Sequence, residues 1–342
     1  VIRFGRGELE RFGSAFPFPS GRAFLLSSPA VLGLHGGAIR AALPDRARVE
    51  IAFEDGEAAK TLETLRGVLD AALAAGVRRD DFVVAAGGGT VTDLAGFASA
   101  VLLRGIAWYA VPTTLLGMAD AAIGGKTGVD HPAGKNLVGA FHPPEGVLID
   151  PDLASTLPAR RFREGIVEIY KSLLVGSGEM ARKMAGRLEA IAGSRDADGY
   201  LAEAIRVKSA IVERDPRERG ERRALNFGHT LGHAIEASGG FSRWSHGEAV
   251  AIGAAAALKL SASLAGFPAD VAATLARELV GFAGGREAVP AWGEEMEKFL
   301  SRDKKNTAAG PLAVLLADWG HPEAREVTAA QWREALARLR DA

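Results

Sequence analysis

The 342-residue chain contains no cysteine. That absence excludes disulfides, thiolate nucleophiles and Cys-ligated zinc or iron–sulfur sites, so metal chemistry must draw on histidine and carboxylate. An excess of charge of either sign is also lacking, since 41 Lys and Arg stand against 42 Asp and Glu. No long-range field draws such a chain to nucleic acid or to an anionic membrane, and anion recognition must be local. Uninterrupted apolar runs are scarce as well. The longest charge-free stretch of note, Gly105 to Ala119, is broken by Pro112 and is too short to cross a bilayer, so no membrane segment is expected. The opening VIRFGRGELERF carries charge throughout; without the apolar core of a signal peptide it points to a cytoplasmic protein.

What is present suits a globular protein. Hydrophobic residues make up 48% and charged residues 24%, enough apolar surface for a core without the composition of disorder. The length suits two domains. From Arg22 to Asp150, short apolar runs (AFLL, RVEIAF, DFVVAA) alternate with amphipathic stretches at Pro29–Leu43 and Glu57–Ala75. This pattern predicts β-α-β-α-β and a parallel sheet. In the second stretch Leu62, Leu65, Leu69 and Leu73 recur at helical spacing and should face that sheet. IAWYAV, closed by Pro112, and VLID read as further strands. After Pro151 the segments Arg163–Val175, Leu201–Arg214 and Glu248–Leu264 have helical periodicity. A strand at PLAVLLA and a final helix from Thr328 complete a mainly helical half. The expected domains are therefore 1–150 and 151–342, with their interface the default place for a site.

Three motifs carry chemistry. VVAAGGGTVTDLAGF puts three glycines between a strand and a helix containing Asp93, Leu94 and Phe97. Backbone N–H groups there can approach a pyrophosphate, although the loop is not G-x-G-x-x-G. Glu57, Lys60 and Asp93 add groups able to hold ribose hydroxyls or phosphate. Next, Asp120 to Asn136 combines Gly124, Gly125, Gly128 and Gly134 with Lys126, Lys135 and Asn136. This reads as a loop for a phosphorylated small molecule.

The third motif is the sharpest, because three of the seven histidines lie in LNFGHTLGHAIEASGGFSRWSHGEAVAIG. On one helix Arg222, Asn226, His229 and His233 would project from one face. His246 follows a Gly-containing turn and could fold back, giving two or three imidazole donors for zinc or a similar ion. A carboxylate should complete the set, and Glu168, one turn before Lys171, is the candidate. Thr230 stands where a zinc protease carries its Glu base, which disfavours a protease.

These residues resemble the dehydroquinate synthase family. The resemblance runs from about Glu57 to Leu316 and is most specific at GGGTVTDLAGF, VPTTLLGMADAAIGGKTGVDHPAGKNLVGAFHPP, LNFGHTLGHAIE and WSHGEAVA. It implies an N-terminal Rossmann-like, NAD-binding α/β domain, a mainly α-helical C-terminal metal-binding domain, and a homodimer with its active site between domains. It further implies Glu168, His229 and His246 as ligands to zinc or cobalt, which makes His233 a substrate or acid–base residue. NAD would contact Glu57, Lys60, Gly88, Gly89, Asp93, Thr113 and Thr114. Lys126, Lys171, Lys208, Arg222, Asn226 and His233 would be catalytic. Asp120, Lys135, Asn136 and Lys304 would bind substrate, and Arg104 would reach the neighbouring subunit's site. The implied reaction converts 3-deoxy-D-arabino-heptulosonate 7-phosphate to 3-dehydroquinate and phosphate, a step of the shikimate pathway to aromatic amino acids, with NAD recycled.

This chain departs from the commonest family wording in places. VEIYKSL stands where relatives read like AEVIKYG, so Tyr170 and Ser172 change the surroundings of Glu168 and Lys171. Ala121 and Ala122 replace serines. Competing readings are a sister cyclase making an inosose or valiolone from a neutral sugar phosphate, a metal-dependent polyol dehydrogenase, and a silent binding protein on the same fold. Arg222 with Lys208 favours a carboxylate-bearing substrate over the first. The double-lysine loop and Glu168 weigh against the second, and the silent reading predicts a lost ligand where none is lost.

Overall fold

The computed structural model describes residues 1–44, 48–132, 134–302 and 312–341. It divides into two compact units, Val1–Phe162 and Arg163–Ala342. In the first, strands β1 (Ile2–Phe4), β2 (Ala23–Ser27), β3 (Arg48–Ala52), β4 (Phe82–Gly87) and β5 (Ala107–Pro112) join β8 (Gly146–Ile149) in one sheet, and β6 (Lys126–His131) pairs with β7 (Gly134–Phe141) in a separate hairpin. The six-stranded sheet has the order β1-β8-β5-β4-β2-β3, and every pairing in it is parallel. Helices α1 (Phe12–Ala15), α2 (Pro29–Ala42), α3 (Leu62–Ala74) and α4 (Gly89–Val101) belong to the same unit.

The apolar runs form the expected central strands because they are buried on both faces: all residues of β2 and β4 are buried, as parallel sheets require. From β2 the chain runs outward to β3 and then returns across β2 to β4. The strand order therefore reverses at the carboxyl ends of β2 and β4, the place where open α/β sheets bind ligands. The glycine loop occupies that place. A Cβ on Gly87 would lie 2.6 Å from the Val91 side chain, so only glycine lets the chain turn this tightly into α4.

Three expectations need correction here. The segment from Lys126 is the antiparallel β6–β7 hairpin, not a structureless loop; it packs on α4, where a Cβ on Gly96 would come within 2.5 Å of Thr127. The α3 face that is buried is Leu65, Val68 and Ala72, while Leu62 and Leu73 are exposed. Glu57 and Lys60 also precede α3, in a 3-10 turn at Glu57–Ala59 and its cap, because Thr61 caps α3 by accepting from the Thr64 N–H.

The second unit holds most of α5 (Ala159–Gly176), then α6 (Gly178–Met184), α7 (Leu188–Ser194), α8 (Asp198–Arg214), α9 (His229–Ser238), α10 (His246–Leu264), α11 (Ala269–Phe282), α12 (Glu294–Arg302) and α13 (Ala329–Asp341). The strand expected at PLAVLLA is β9 (Leu312–Asp318), paired with an unforeseen partner, β10 (His321–Glu326). Helix α10 is long and apolar enough to cross a membrane by length and composition, a helix the search for apolar runs overlooked. Its most apolar window is 72% buried, and it packs against α9, α11 and α13.

Candidate functional site

In the first unit, charged residues from four segments converge. The Lys60 ammonium donates to Asp93 Oδ2 at 2.6 Å and to Asn136 Oδ1 at 2.5 Å. Lys135 pairs with Glu57 at 2.9 Å. Asp130 closes the ring: its carboxylate accepts from the Asn136 N–H and its own N–H donates to the Lys60 carbonyl, both at 2.8 Å. Burial opposes the Lys60 charge, but Asp93 and Glu57 outweigh it and hold the ammonium pKa above its usual value. Asn136 sits at φ 53°, a left-handed conformation that Asn tolerates better than most residues.

Beside this ring lie Gly88 and Gly89, at the start of α4. A Cβ on Gly88 would lie 3.1 Å from Thr114, and one on Gly89 would lie 3.2 Å from Ala121. The Thr113 N–H donates to the Gly87 carbonyl, and Thr114 Oγ1 accepts from the Gly117 N–H. Glu57, Lys60, Gly88, Gly89, Asp93, Thr113 and Thr114, the residues expected on NAD, thus share one end of the sheet. Asp120, whose charge disfavours ionisation of Asp93, belongs to the same end. Lys135 and Asn136, expected on substrate, engage Glu57 and Lys60. Lys126 opens β6 with its side chain exposed. Arg104 is exposed at φ 70° and joins none of these contacts.

In the second unit α5 presents Glu168 and Lys171, both almost wholly buried and ion-paired to each other. Glu168 Oε1 lies 3.7 Å from His229 Nε2 and 3.4 Å from His246 Nε2. The two imidazoles open their helices. His229 is the first residue of α9 after Gly228, which sits at φ 78° with Ala254 and Val250 of α10 within 3 Å of any Cβ. His246 starts α10 behind a Ser245–Glu248 capping box. Small residues at the α9–α10 crossing therefore bring the rings to a 5.3 Å separation.

The other nitrogens are fixed too: His229 Nδ1 faces the Phe227 carbonyl at 3.2 Å, and His246 Nδ1 faces Glu236 Oε2 at 3.4 Å. Burial, then the neighbouring Lys171, push the His229 pKa well below 6.5 and keep the ring neutral. Burial also opposes charge on His246, but Glu168 and Glu236 outweigh it and raise its pKa to about 10.

This donor set fits a divalent metal. One carboxylate and two imidazoles with an open position is the catalytic zinc pattern, and donors at 2.0–2.2 Å from a tetrahedral ion stand roughly 3.3 Å apart. Little movement would be needed from 3.4 and 3.7 Å. His233, Glu236 and His246 form a second group of donors within 4.8 Å of one another, so geometry leaves His246 able to serve either side.

Arg222 and Asn226 do not continue the α9 face. They lie in a 3-10 turn at Glu221–Asn226, separated from α9 by the left-handed Gly228. Asp215 shapes that turn by accepting from the N–H groups of Arg219, Gly220 and Arg222. Asn226 donates to Glu218 at 2.5 Å, and Arg222 and Lys208 are nearly buried. Sequence reasoning missed Asp130, Asp215, Glu218 and Glu236, since none has a spacing signal linking it to its partner. Lys304 lies outside the described residues. Tyr170 and Ser172 are fully buried, and their hydroxyls have no hydrogen-bond partner among the described residues.

Comparison with known proteins finds relatives in both sequence and fold. Residues 50–164 match the family described as 3-dehydroquinate synthase N-terminal, and residues 165–306 match 3-dehydroquinate synthase C-terminal. A 3-dehydroquinate synthase of Bordetella pertussis is 39% identical over 98% of this chain and 95% of its own. One from Thermosynechococcus vestitus is 39% identical over 94% and 89%. Among solved structures, 2-epi-5-epi-valiolone synthase from Streptomyces hygroscopicus, with NAD+ and Zn2+ bound, superposes with a TM-score of 0.88 at 28% identity, covering 100% of this chain and 96% of that one. A 2-deoxy-scyllo-inosose synthase complexed with carbaglucose-6-phosphate, NAD+ and Co2+ gives 0.83 at 26%, covering 98% and 96%.

Proposed function

The chain belongs to the 3-dehydroquinate synthase family, and from that premise we propose that it converts 3-deoxy-D-arabino-heptulosonate 7-phosphate to 3-dehydroquinate and phosphate. The observation that carries this reading is the buried Glu168 carboxylate with His229, His246 and Lys171 gathered around it. Glu168, His229 and His246 would hold zinc or cobalt, and Glu57, Lys60, Gly88, Gly89, Asp93, Thr113 and Thr114 would hold NAD. When bound, the metal supplies Lewis-acid polarisation of a substrate hydroxyl and NAD supplies a hydride acceptor that later returns the hydride.

The residues of this chain then have separable tasks. Glu236 keeps a proton on His246 Nδ1 and so aims Nε2 at Glu168. Lys171 sets a fixed positive charge beside the reacting hydroxyl, which favours its alkoxide form. Arg222 and Lys208 bind the substrate carboxylate, for which a guanidinium fork is suited. Lys126, Lys135 and Asn136 bind the phosphate that leaves, with Asp120 on the substrate's hydroxyls. Asn226 and His233 orient the flexible intermediate during ring closure. In this reading the enzyme is a carbon–oxygen lyase, works in the cytoplasm as a homodimer, and extends Arg104 toward the neighbouring subunit's site.

The test is to incubate metal-loaded protein with the heptulosonate phosphate and sub-stoichiometric NAD while following phosphate, dehydroquinate and NADH together. Product in excess of NAD, without lasting NADH, supports the recycling cyclase. The likeness to the valiolone and inosose synthases makes the neutral heptulose 7-phosphate the informative control: turnover of that sugar alone transfers the chain to a sister activity.

A further inference from the structure

Between Ala249 and Leu264, α10 carries a single charged residue, Lys259. Its side chain opens into a cavity of about 240 Å³, lined also by Arg277 and Val280 of α11, Arg286 of the following turn and Leu339 of α13. Helices α10, α11 and α13 pack on one another at this place. Three cations and no carboxylate line the cavity among the described residues, and Ala276, Val280 and Leu339 supply an apolar wall. Burial lowers the Lys259 pKa, and the nearby Arg277 and Arg338 guanidiniums lower it further. An anion placed between Lys259 and Arg277 would relieve the repulsion between them.

We propose that this cavity binds a small amphipathic anion, a carboxylate or phosphate ester on an apolar ring or short chain. The ammonium of Lys259 and the guanidinium of Arg277 take the anionic head, and the Val280–Leu339 wall takes the apolar body. The volume lies just under the roughly 300–1,000 Å³ of pockets for drug-sized ligands, which suits a ligand of about ten non-hydrogen atoms. The proposal is independent of the reaction assigned above, because its readout is at Lys259 itself.

The experiment measures acylation of Lys259 in the full-length protein by a trace amine-reactive reagent, read by peptide mass spectrometry, with exposed Lys298 as the internal reference. Phenyl phosphate and benzoate are the amphipathic probes, inorganic phosphate lacks the apolar body, and benzyl alcohol lacks the charge. Phenyl phosphate or benzoate should slow labelling of Lys259 relative to Lys298 at millimolar concentration, and whichever acts at the lower concentration identifies the preferred head. Inorganic phosphate should need about tenfold more. Arg277→Gln, an exposed helical position that tolerates Gln, should raise the half-protecting concentration by about tenfold, the loss of one charge-assisted contact. Unchanged labelling with both amphipathic probes in the wild-type protein overturns the proposal. So does equal protection by benzyl alcohol, or an Arg277→Gln variant that is protected as well as the wild type.

Discussion

The two charged clusters of this molecule are built on opposite plans. In the first unit Lys60 and Lys135 alternate with Glu57, Asp93 and Asp130, so cations and anions close a ring on a 3-10 turn, α4 and a hairpin. In the second unit one carboxylate gathers two imidazoles and an ammonium, all at helix starts or inside a helix, and the two ring nitrogens of His246 face Glu168 and Glu236. The first cluster sets two ammonium groups against three carboxylates, and each is already engaged with another member of the ring. The second has the donor arrangement of a cation site. A ring of alternating charges and a metal-type donor set thus fall to separate units.

The comparison breaks most sharply at Glu168. Glu168→Gln or His229→Ala should lower turnover by more than about a hundredfold, exceeding the 10–100-fold typical of a carboxylate behind a metal-bound histidine, while NAD affinity measured by fluorescence titration stays within a factor of two or so. Equal loss of both would mean that the two clusters are not separable. Glu236→Gln should cost about 10–100-fold in metal affinity by equilibrium dialysis, because it removes only the group that orients His246.

Lys60→Met tests the other plan. It leaves Asp93 beside Glu57 and Asp130 without the ammonium that holds them together, and should destabilise the protein by about 2 kcal/mol, less than a fully buried broken pair because Asp93 retains 20% of its side-chain exposure. Urea unfolding would show it, together with weaker NAD binding and unchanged metal content. The smallest effect is expected at Asp81, away from both clusters. Burial opposes its charge, but hydrogen bonds from Arg22 and Arg78 outweigh that and hold its pKa below the usual carboxylate value. Its contribution is therefore present above the unfolded pKa of about 4 and is lost as pH falls through the lower folded value. Asp81→Asn should cost about 1 kcal/mol at pH 7 and flatten the stability profile in that acid window.

Much of the first unit was legible because a strand buried on both faces must be a continuous apolar run, as AFLL and DFVVAA are. The β6–β7 hairpin was not, since its strands are interrupted by Gly and Lys and owe their pairing to contacts such as Thr127 with Ala140. For the second unit, histidine concentration marked the site, but helical spacing wrongly extended one helix from Arg222 to His233. The interruption comes from the positive φ of Gly228, which a period count does not register. Glu236 escaped notice because its partner His246 is ten residues away and is brought to it only by the packing of α9 on α10. The leucine stripe of α3 misled for a related reason: burial there follows Leu65, Val68 and Ala72, and the outer leucines face solvent.

The measurement that bears most directly on the account is a cobalt(II) titration of metal-free protein, followed by visible absorption and by counting bound metal per chain. The account predicts one equivalent with an intense d–d band of low coordination number in the wild type, and loss of both in His246→Ala with NAD binding retained. A wild-type chain that binds no cobalt, or a His246→Ala variant that still binds one equivalent with the same spectrum, would contradict it.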